Sequence, residues 1–170
     1  LHKEYRRQRQ MCIRDSNILD GGAGIDTLIG GRGDDTYIMD GDIDDITEDL
    51  GAGIDTVKSS VTYTLRANLE NLILTGSAAL SGSGNALNNT LIGNTGDNTL
   101  TGGSGLDVVT GGAGRDTFSY AAFDALISGT TSLSFERITD FTIGTDSLNG
   151  ANAVSASNLR KLGSVGTSLT

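Results

Sequence analysis

The sequence predicts an all-β protein, a parallel β-roll (β-solenoid) of nonapeptide repeats that ends in a C-terminal β-rich cap. Three observations lead to this prediction: one nine-residue phrase recurs four times, the chain has 25 glycines but no proline or tryptophan, and only 5% of its residues are aromatic. Such a composition offers too few bulky apolar side chains for the core of a conventional 170-residue domain. A short fixed period instead predicts a solenoid, whose thin core needs less apolar material.

The repeated phrase has glycines at fixed positions. It reads GGAGIDTLI and GGRGDDTYI over residues 21–38, and GGSGLDVVT and GGAGRDTFS over residues 102–119. Glycine at positions one, two and four allows turns with positive φ and brings carbonyl oxygens close to a common point. We expect these glycines to form cation-binding turns: Gly21, Gly22, Gly24, Gly30, Gly31, Gly33, Gly102, Gly103, Gly105, Gly111, Gly112 and Gly114.

Each copy also carries an acidic residue at position six and an apolar residue at position eight. A hard cation such as Ca²⁺ takes about six to eight oxygen ligands, which carboxylates and backbone carbonyls together can supply. The last three residues of a copy predict a short strand whose middle side chain points inward. The predicted metal ligands are Asp26, Asp35, Asp107 and Asp116, and the predicted core residues are Leu28, Tyr37, Val109 and Phe118.

These motifs resemble the calcium-binding nonapeptide repeats of RTX (hemolysin-type) proteins. The resemblance implies a roll in which two nonapeptides form one turn, so that stacked turns lie two repeats apart in the sequence. It also implies bound Ca²⁺, an extracellular or cell-surface location, and type I secretion machinery as a partner during export.

Stacking extends the candidate ligands to weaker copies of the phrase. An asparagine offers a neutral oxygen, so pairs that contain asparagine should bind calcium more weakly than pairs of aspartates. In the weak copies, Asp44, Asn89 and Asn98 could equally be turn residues of metal-free coils. The predicted stacked pairs are Asn17 with Asp35, Asp26 with Asp44, Asn89 with Asp107, and Asn98 with Asp116.

Both arrays of repeats share one frame, because the distance in sequence from Asp35 to Asn89 is a whole number of nine-residue periods. That frame assigns Asn71 to position six and Ile73 to position eight, and it leaves Asp55 two residues out of phase. We therefore expect one continuous solenoid with irregular central coils.

The chain divides into five segments. Residues 1–16 contain five of the 12 basic residues, the only histidine and the only cysteine, and no glycine. They resemble adapter-derived sequence and are predicted to be a non-native leader; the alternative is a basic helical arm for a membrane or nucleic-acid surface. The other segments are a first repeat array with degenerate coils (17–58), a bridging β segment (59–83), a second array (84–119), and a truncated capping or secretion-associated segment (120–170).

The last segment carries a second resemblance. SFERITDFTIGTDSL, over residues 134–148, is similar to the segment that closes the roll of serralysin-type proteins, with matches at Asp140, Phe141, Gly144 and Asp146. The resemblance implies that Asp140 joins a terminal calcium site; alternatively, Asp140 simply begins a turn. Residues 121–162 also resemble the "bluetail" segment of surface proteins.

The net charge and the absence of catalytic motifs narrow the range of possible functions. A formal net charge of −9 argues against nucleic acid and anionic membranes as partners, and the chain has no apolar stretch of the roughly 20 residues that a membrane helix needs. The chain has no metalloprotease or nucleophile-elbow motif, and its only histidine lies in the leader, so we predict that it is not an enzyme. Glycine-rich acidic sequence can also be a flexible linker, but a linker has no reason to keep a nine-residue period.

The sequence therefore predicts a calcium-binding RTX repeat module of a secreted or cell-surface protein, which folds on binding Ca²⁺ after export. The alternatives are the C-terminal tail of a secreted protease or lipase with its catalytic domain upstream, or a segment of a large adhesin. A cell-surface or adhesive partner would belong to the last alternative.

Overall fold

The computed structural model describes residues 8–10, 16–41, 44–120 and 137–150, and every regular element within them is a β-strand. The strands are two to four residues long and pair in parallel. They form a β-solenoid of about six turns, as predicted. Within the two repeat arrays the strands are short because glycine-rich turns separate them.

The strands form three sheets, and the chain moves from one sheet to another after each strand. The first sheet has seven strands: β2 (Ile18–Asp20), β4 (Thr36–Met39), β6 (Thr56–Ser59), β8 (Asn71–Leu74), β10 (Thr90–Ile92), β12 (Val108–Thr110) and β14 (Arg137–Ile138). The second has five: β7 (Tyr63–Thr64), β9 (Ser81–Ser83), β11 (Thr99–Thr101), β13 (Thr117–Tyr120) and β15 (Ser147–Gly150). The third has three: β1 (Gln8–Gln10), β3 (Thr27–Ile29) and β5 (Asp45–Thr47).

Apolar side chains from these sheets form one narrow core. The core residues predicted for the four clear copies are all buried, with exposed fractions between 0% and 3%. Leucines of the bridging segment, such as Leu72 and Leu74, join the same cluster. At Gly82 a Cβ atom would lie 3.0 Å from Leu100 and 3.1 Å from Leu72, so neighbouring side chains fill the space that this glycine leaves.

The prediction of one continuous solenoid is confirmed on one side of the roll. The first sheet runs without interruption through both repeat arrays and the bridging segment. On the other side, β5 and β7 belong to different sheets. There the chain is held by Asn68, whose side-chain amide donates to the Glu48 carbonyl at 2.8 Å, and by a half-exposed ion pair of 2.7 Å between Arg66 and Asp45.

The assignment of Asn71 and Ile73 to positions six and eight was wrong, and the correct frame lies one position earlier. Strand β8 pairs with β10 so that Leu72 lies beside Leu91, and Leu72 is fully buried whereas Ile73 is not. Position six therefore belongs to Glu70. The central coils differ in length from two repeats, and a fixed period cannot follow them.

Two segments outside the repeats, residues 1–16 and residues 121–162, were also assigned from their resemblance to known sequences. Within the suspected leader, Gln8–Gln10 form β1, which pairs in parallel with β3, so this part of residues 1–16 is placed on the fold rather than outside it. Its adapter origin remains a prediction, and most of residues 121–162 lie outside the described part. Among the described residues, no helix is long and apolar enough to cross a bilayer.

Candidate metal sites in the stacked turns

Side chains at position six line up turn over turn where the chain enters the first sheet. We call this set the first column: Asn17, Asp35, Asp55, Glu70, Asn89 and Asp107. A carboxylate oxygen of one member accepts the backbone N–H of the member before it at 2.7–2.8 Å, as in Asn17 to Asp35, Asp35 to Asp55, Asp55 to Glu70, and Asn89 to Asp107. Burial excludes competing water, so each hydrogen bond fixes one carboxylate oxygen at a turn.

A second column precedes the strands of the other two sheets. The Asp44 carboxylate accepts the Asp26 N–H at 2.8 Å, and Asp116 accepts the Asn98 N–H at 2.9 Å. Asp146 in turn accepts the Asp116 N–H at 3.0 Å and so continues the column into the cap. With the first column, these contacts confirm all four predicted stacked pairs; the role of these residues as calcium ligands stays a prediction.

The repeat glycines have two different functions. Positions two and four adopt positive φ, for example 75° at Gly22 and 115° at Gly24, where a side chain would cause strain. The position-one glycines do not adopt positive φ, so that expectation is corrected, and at Gly21, Gly30 and Gly111 glycine is instead required by space. A Cβ atom at Gly21 would lie 2.7 Å from an Asp44 carboxylate oxygen, and one at Gly111 would overlap the Asp116 carboxylate.

The turns fit a hard cation such as Ca²⁺. Second carboxylate oxygens from the stacked Asp26 and Asp44 converge on the space beside Gly21, within 3.0 Å of the position that a Cβ would take. The Oδ2 atom of Asp35 is buried and has no hydrogen-bond partner. Buried carboxylate oxygens without donors are costly unless a cation or proton accompanies them, so the donor set is the one that calcium prefers.

The asparagines of the second array make a different kind of turn. The Asn89 amide donates to the carbonyls of Leu69 and Glu70, each at 3.1 Å, while its Oδ1 accepts the Asn85 N–H. Asn98 follows the same plan, with its amide donating to Leu80 O at 3.4 Å. These amides bind carbonyl oxygens of the preceding coil. This favours the interpretation that the turns between Asn89 or Asn98 and that coil hold no metal.

Asp140 caps the last turn. Its two carboxylate oxygens accept the N–H groups of Gly111 and Gly112, each at 2.8 Å. The Phe141 ring packs against Phe118, with 6.0 Å between ring centroids. Because both Asp140 oxygens accept backbone hydrogen bonds, this geometry supports a capping role, and its part in a terminal calcium site stays a prediction.

A third acidic group lies inside the first array. Ligand oxygens of Asp35, Glu48 and Asp55 lie within 4.8 Å of one another, and all three residues are buried. Burial raises the pKa of Asp55 to about 7, although the hydrogen bond from the Asp35 N–H lowers it. Burial also raises the pKa of Glu48. The Tyr37 hydroxyl donates to Glu48, and burial raises the pKa of this phenol as well.

Elsewhere, burial raises the pKa values of Asp116 and Tyr63. For Asp116, the neighbouring carboxylates of Asp146 and Asp140 add to this effect, and the hydrogen bond from Asn98 opposes it.

Sequence reasoning missed Asp55, Glu70, Asp146 and Glu48 as members of these sites. For Asp55 a signal was present, since GAGIDTV over residues 51–57 keeps glycine, aspartate and valine at the correct relative positions. For Glu48 there was none, because it stands where the phrase calls for glycine.

Comparison with known proteins agrees with this geometry. Residues 14–46 and 83–118 match the RTX calcium-binding nonapeptide repeat, in four copies. The chain is 45% identical over 67 residues to the endo-1,3-1,4-beta-glycanase ExsH of Rhizobium meliloti (strain 1021), and 40% identical over 67 residues to the glycanase EglC of the same organism. Each match covers 39% of this chain but 14% of the relative. No solved structure matches the chain significantly.

The matched segments coincide with the two arrays of stacked turns. In the family that shares these repeats, they bind Ca²⁺, and the rolls that they build are typically non-catalytic. The chain therefore carries RTX calcium-binding nonapeptide repeats, and its parallel β-solenoid is the roll that such repeats form.

Proposed function

We propose that the chain is a calcium-responsive module of a secreted or cell-surface protein, disordered before export and folded outside the cell when Ca²⁺ binds. The observation that supports this most directly is the stacking of buried carboxylates, turn over turn, in two columns. RTX repeat proteins are generally secreted, which agrees with an extracellular location. Type I secretion machinery is the export partner that the family implies.

Electrostatics explains why calcium would control folding. The chain has 21 acidic and 12 basic residues, and six aspartates are buried within the part that the structure describes. Packing these carboxylates together without cations is opposed by repulsion and by lost hydration. Cations between stacked turns would remove both penalties, and each site at a hundredfold excess of Ca²⁺ over its Kd would add about 2.7 kcal/mol.

The best candidate sites are the pairs in which both members are carboxylates. Asp26 with Asp44 satisfies this condition, since both second oxygens face the same space beside Gly21. Asp35 with Asp55 satisfies it as well. Pairs with one asparagine, such as Asn98 with Asp116, supply one carboxylate fewer and should be weaker.

Far-UV circular dichroism of the full chain tests the proposal. We expect a disordered spectrum in EGTA and a β-rich spectrum when CaCl₂ reaches roughly 10⁻⁴–10⁻³ M, the range of extracellular calcium modules. Magnesium at the same concentration is the control and should substitute poorly, because it prefers rigid octahedral sites and retains its waters. A β-rich spectrum that is unchanged in EGTA would overturn the proposal.

A second candidate function is the repeat region of a secreted hydrolase. It is favoured by the partial match to two proteins named as glycanases, which extends over 14% of each of them. The gene that encodes this segment discriminates between the candidates. A catalytic domain in the same reading frame would support the hydrolase, and long arrays of further repeats would support a surface or adhesive protein with a partner on the cell surface.

A further inference from the structure

Glu48 occupies a place where the repeat has glycine. Strand β3 pairs with β5 so that Ile29 lies beside Thr47, and the next residues along the two strands are Gly30 and Glu48. Gly30 is a position-one glycine whose missing side chain leaves room for the Asp35 carboxylate. One coil later, a glutamate side chain only 8% exposed stands at the same position.

The Glu48 carboxylate meets two members of the first column. Asp35 and Asp55 are each 1% exposed, and one oxygen from each of the three residues lies within 4.8 Å of the others. Asp35 Oδ2 and Glu48 Oε2 are buried and have no hydrogen-bond partner. Two donor-free oxygens beside a third carboxylate repel one another, and a bound cation would relieve this repulsion.

Hydrogen bonds already hold one oxygen of each carboxylate in this cluster. Asp35 Oδ1 accepts the Asn17 N–H at 2.7 Å, and Asp55 Oδ1 accepts the Asp35 N–H at 2.8 Å. Glu48 Oε1 accepts from the Tyr37 hydroxyl, which itself accepts the Gly30 N–H at 2.8 Å. One oxygen of each carboxylate is thus fixed by a hydrogen bond, and Asp35 Oδ2 and Glu48 Oε2 are left without a donor. Asp35 Oδ2 lies beside Gly30 together with the Tyr37 hydroxyl that binds Glu48.

We propose that Asp35, Glu48 and Asp55 form a three-carboxylate Ca²⁺ site in which Glu48 supplies a ligand that the repeat phrase does not encode. All three ligands are hard oxygen donors without histidine or cysteine, which selects calcium over zinc or copper. The three negative charges would make this site tighter than a turn with two aspartates. The inference rests on the proposed calcium-binding function, since Asp35 also belongs to the stacked column.

Terbium luminescence in the full chain tests the site, because Tb³⁺ substitutes for Ca²⁺ and is excited by a nearby tyrosine. The phenol of Tyr37 contacts Glu48, so terbium bound here should be sensitised strongly. We expect Glu48→Gln to lose one equivalent of bound metal and most of the tyrosine-sensitised emission. Tyr37→Phe should lose the emission and keep the number of bound ions.

Asp49→Asn is the matched control, since it removes one charge from the adjacent exposed residue and should leave both readouts unchanged. If Glu48→Gln does not fold, Glu48→Gly restores the repeat glycine and should show the same loss of one equivalent. Retention of every equivalent by whichever glutamate variant folds, or full emission from Tyr37→Phe, would overturn this site. If the wild-type chain binds no calcium at all, the proposed function itself fails.

Discussion

At the scale of single residues, the side chain at position six determines whether a turn contains a carboxylate or an amide, and we propose that this choice decides whether the turn binds a metal. Asp44 at this position accepts the Asp26 N–H with one oxygen and presents the other to the turn at Gly21. An asparagine places an amide there instead, and Asn98 uses it to hold the Leu80 carbonyl. The amide nitrogen of an asparagine thus replaces a carboxylate oxygen, the ligand of the proposed calcium sites, with a donor that forms a hydrogen bond within the protein.

The aspartates at position six should contribute more to calcium binding than the aspartate at position five. Asp107→Ala and Asp116→Ala each remove a buried carboxylate from a column, and we expect each to cost about 1.5–3 kcal/mol and to raise the calcium midpoint. Asp97→Ala should shift the midpoint less, because Asp97 is exposed and accepts the Arg115 N–H at 2.8 Å outside the columns. A calcium titration followed by circular dichroism measures all three. Equal shifts would mean that position six is not the ligand position.

Replacing an asparagine of the second column tests the exchange directly. Asn98→Asp removes the amide that holds the Leu80 carbonyl and adds a carboxylate opposite Asp116, so calorimetric titration should show one further calcium equivalent and tighter binding. Asn88→Asp is the control, because Asn88 is exposed and its Oδ1 atom, which accepts the Leu106 N–H, is kept in the variant. An unchanged stoichiometry in Asn98→Asp would show that this turn cannot hold a cation.

At the scale of elements, the coils differ in length while the columns stay in line. Successive contacts of the first column span 18, 20, 15, 19 and 18 residues. The longer and shorter coils compensate, so the two arrays return to a common frame although the coils between them do not keep it. Strand hydrogen bonds maintain the stack, and turns absorb the extra residues.

This compensation explains what could be predicted from the sequence. The strands of the four clear copies, their inward position-eight residues and the four stacked pairs follow from the nine-residue phrase and are confirmed, whereas the assignment of Ile73 to position eight was wrong. Asp55 and Glu70 were missed because each lies in a coil whose length differs from that of two repeats. Glu48 could not be found at all, because its role depends on which side chains the neighbouring coils bring beside it.

The cap is the element that closes the last coil. Phe141 is partly buried against the core and its ring lies 6.0 Å from that of Phe118, so Phe141→Ala should cost about 1–2 kcal/mol. Ile143→Ala is the control in the same segment, because Ile143 is 85% exposed and should have almost no effect. Denaturant unfolding in saturating calcium compares the two variants. Similar losses of stability would mean that the contact between Phe141 and Phe118 does not hold the cap in place.

At the scale of the whole molecule, a solenoid has two ends, whose strands present unpaired backbone groups unless another segment covers them. Strand β14 covers β12 and strand β15 covers β13, so one end of each of the first and second sheets is closed by the cap. The cap also supplies acceptors to turns below it, with Asp146 receiving the Asp116 N–H. Terminal coils of solenoids need such closure to avoid aggregation.

Truncation tests whether the cap is required for folding. A fragment of residues 82–119 lacks β14 and β15, and the N–H groups of Gly111, Gly112 and Asp116 lose their carboxylate acceptors. We expect this fragment to stay disordered or to aggregate in calcium, whereas a fragment of residues 82–150 folds. Circular dichroism and light scattering during a calcium titration compare the two. Cooperative folding of the shorter fragment at the same midpoint would show that the repeats close their own end, and the segment beyond Ser119 would then serve export or surface attachment instead.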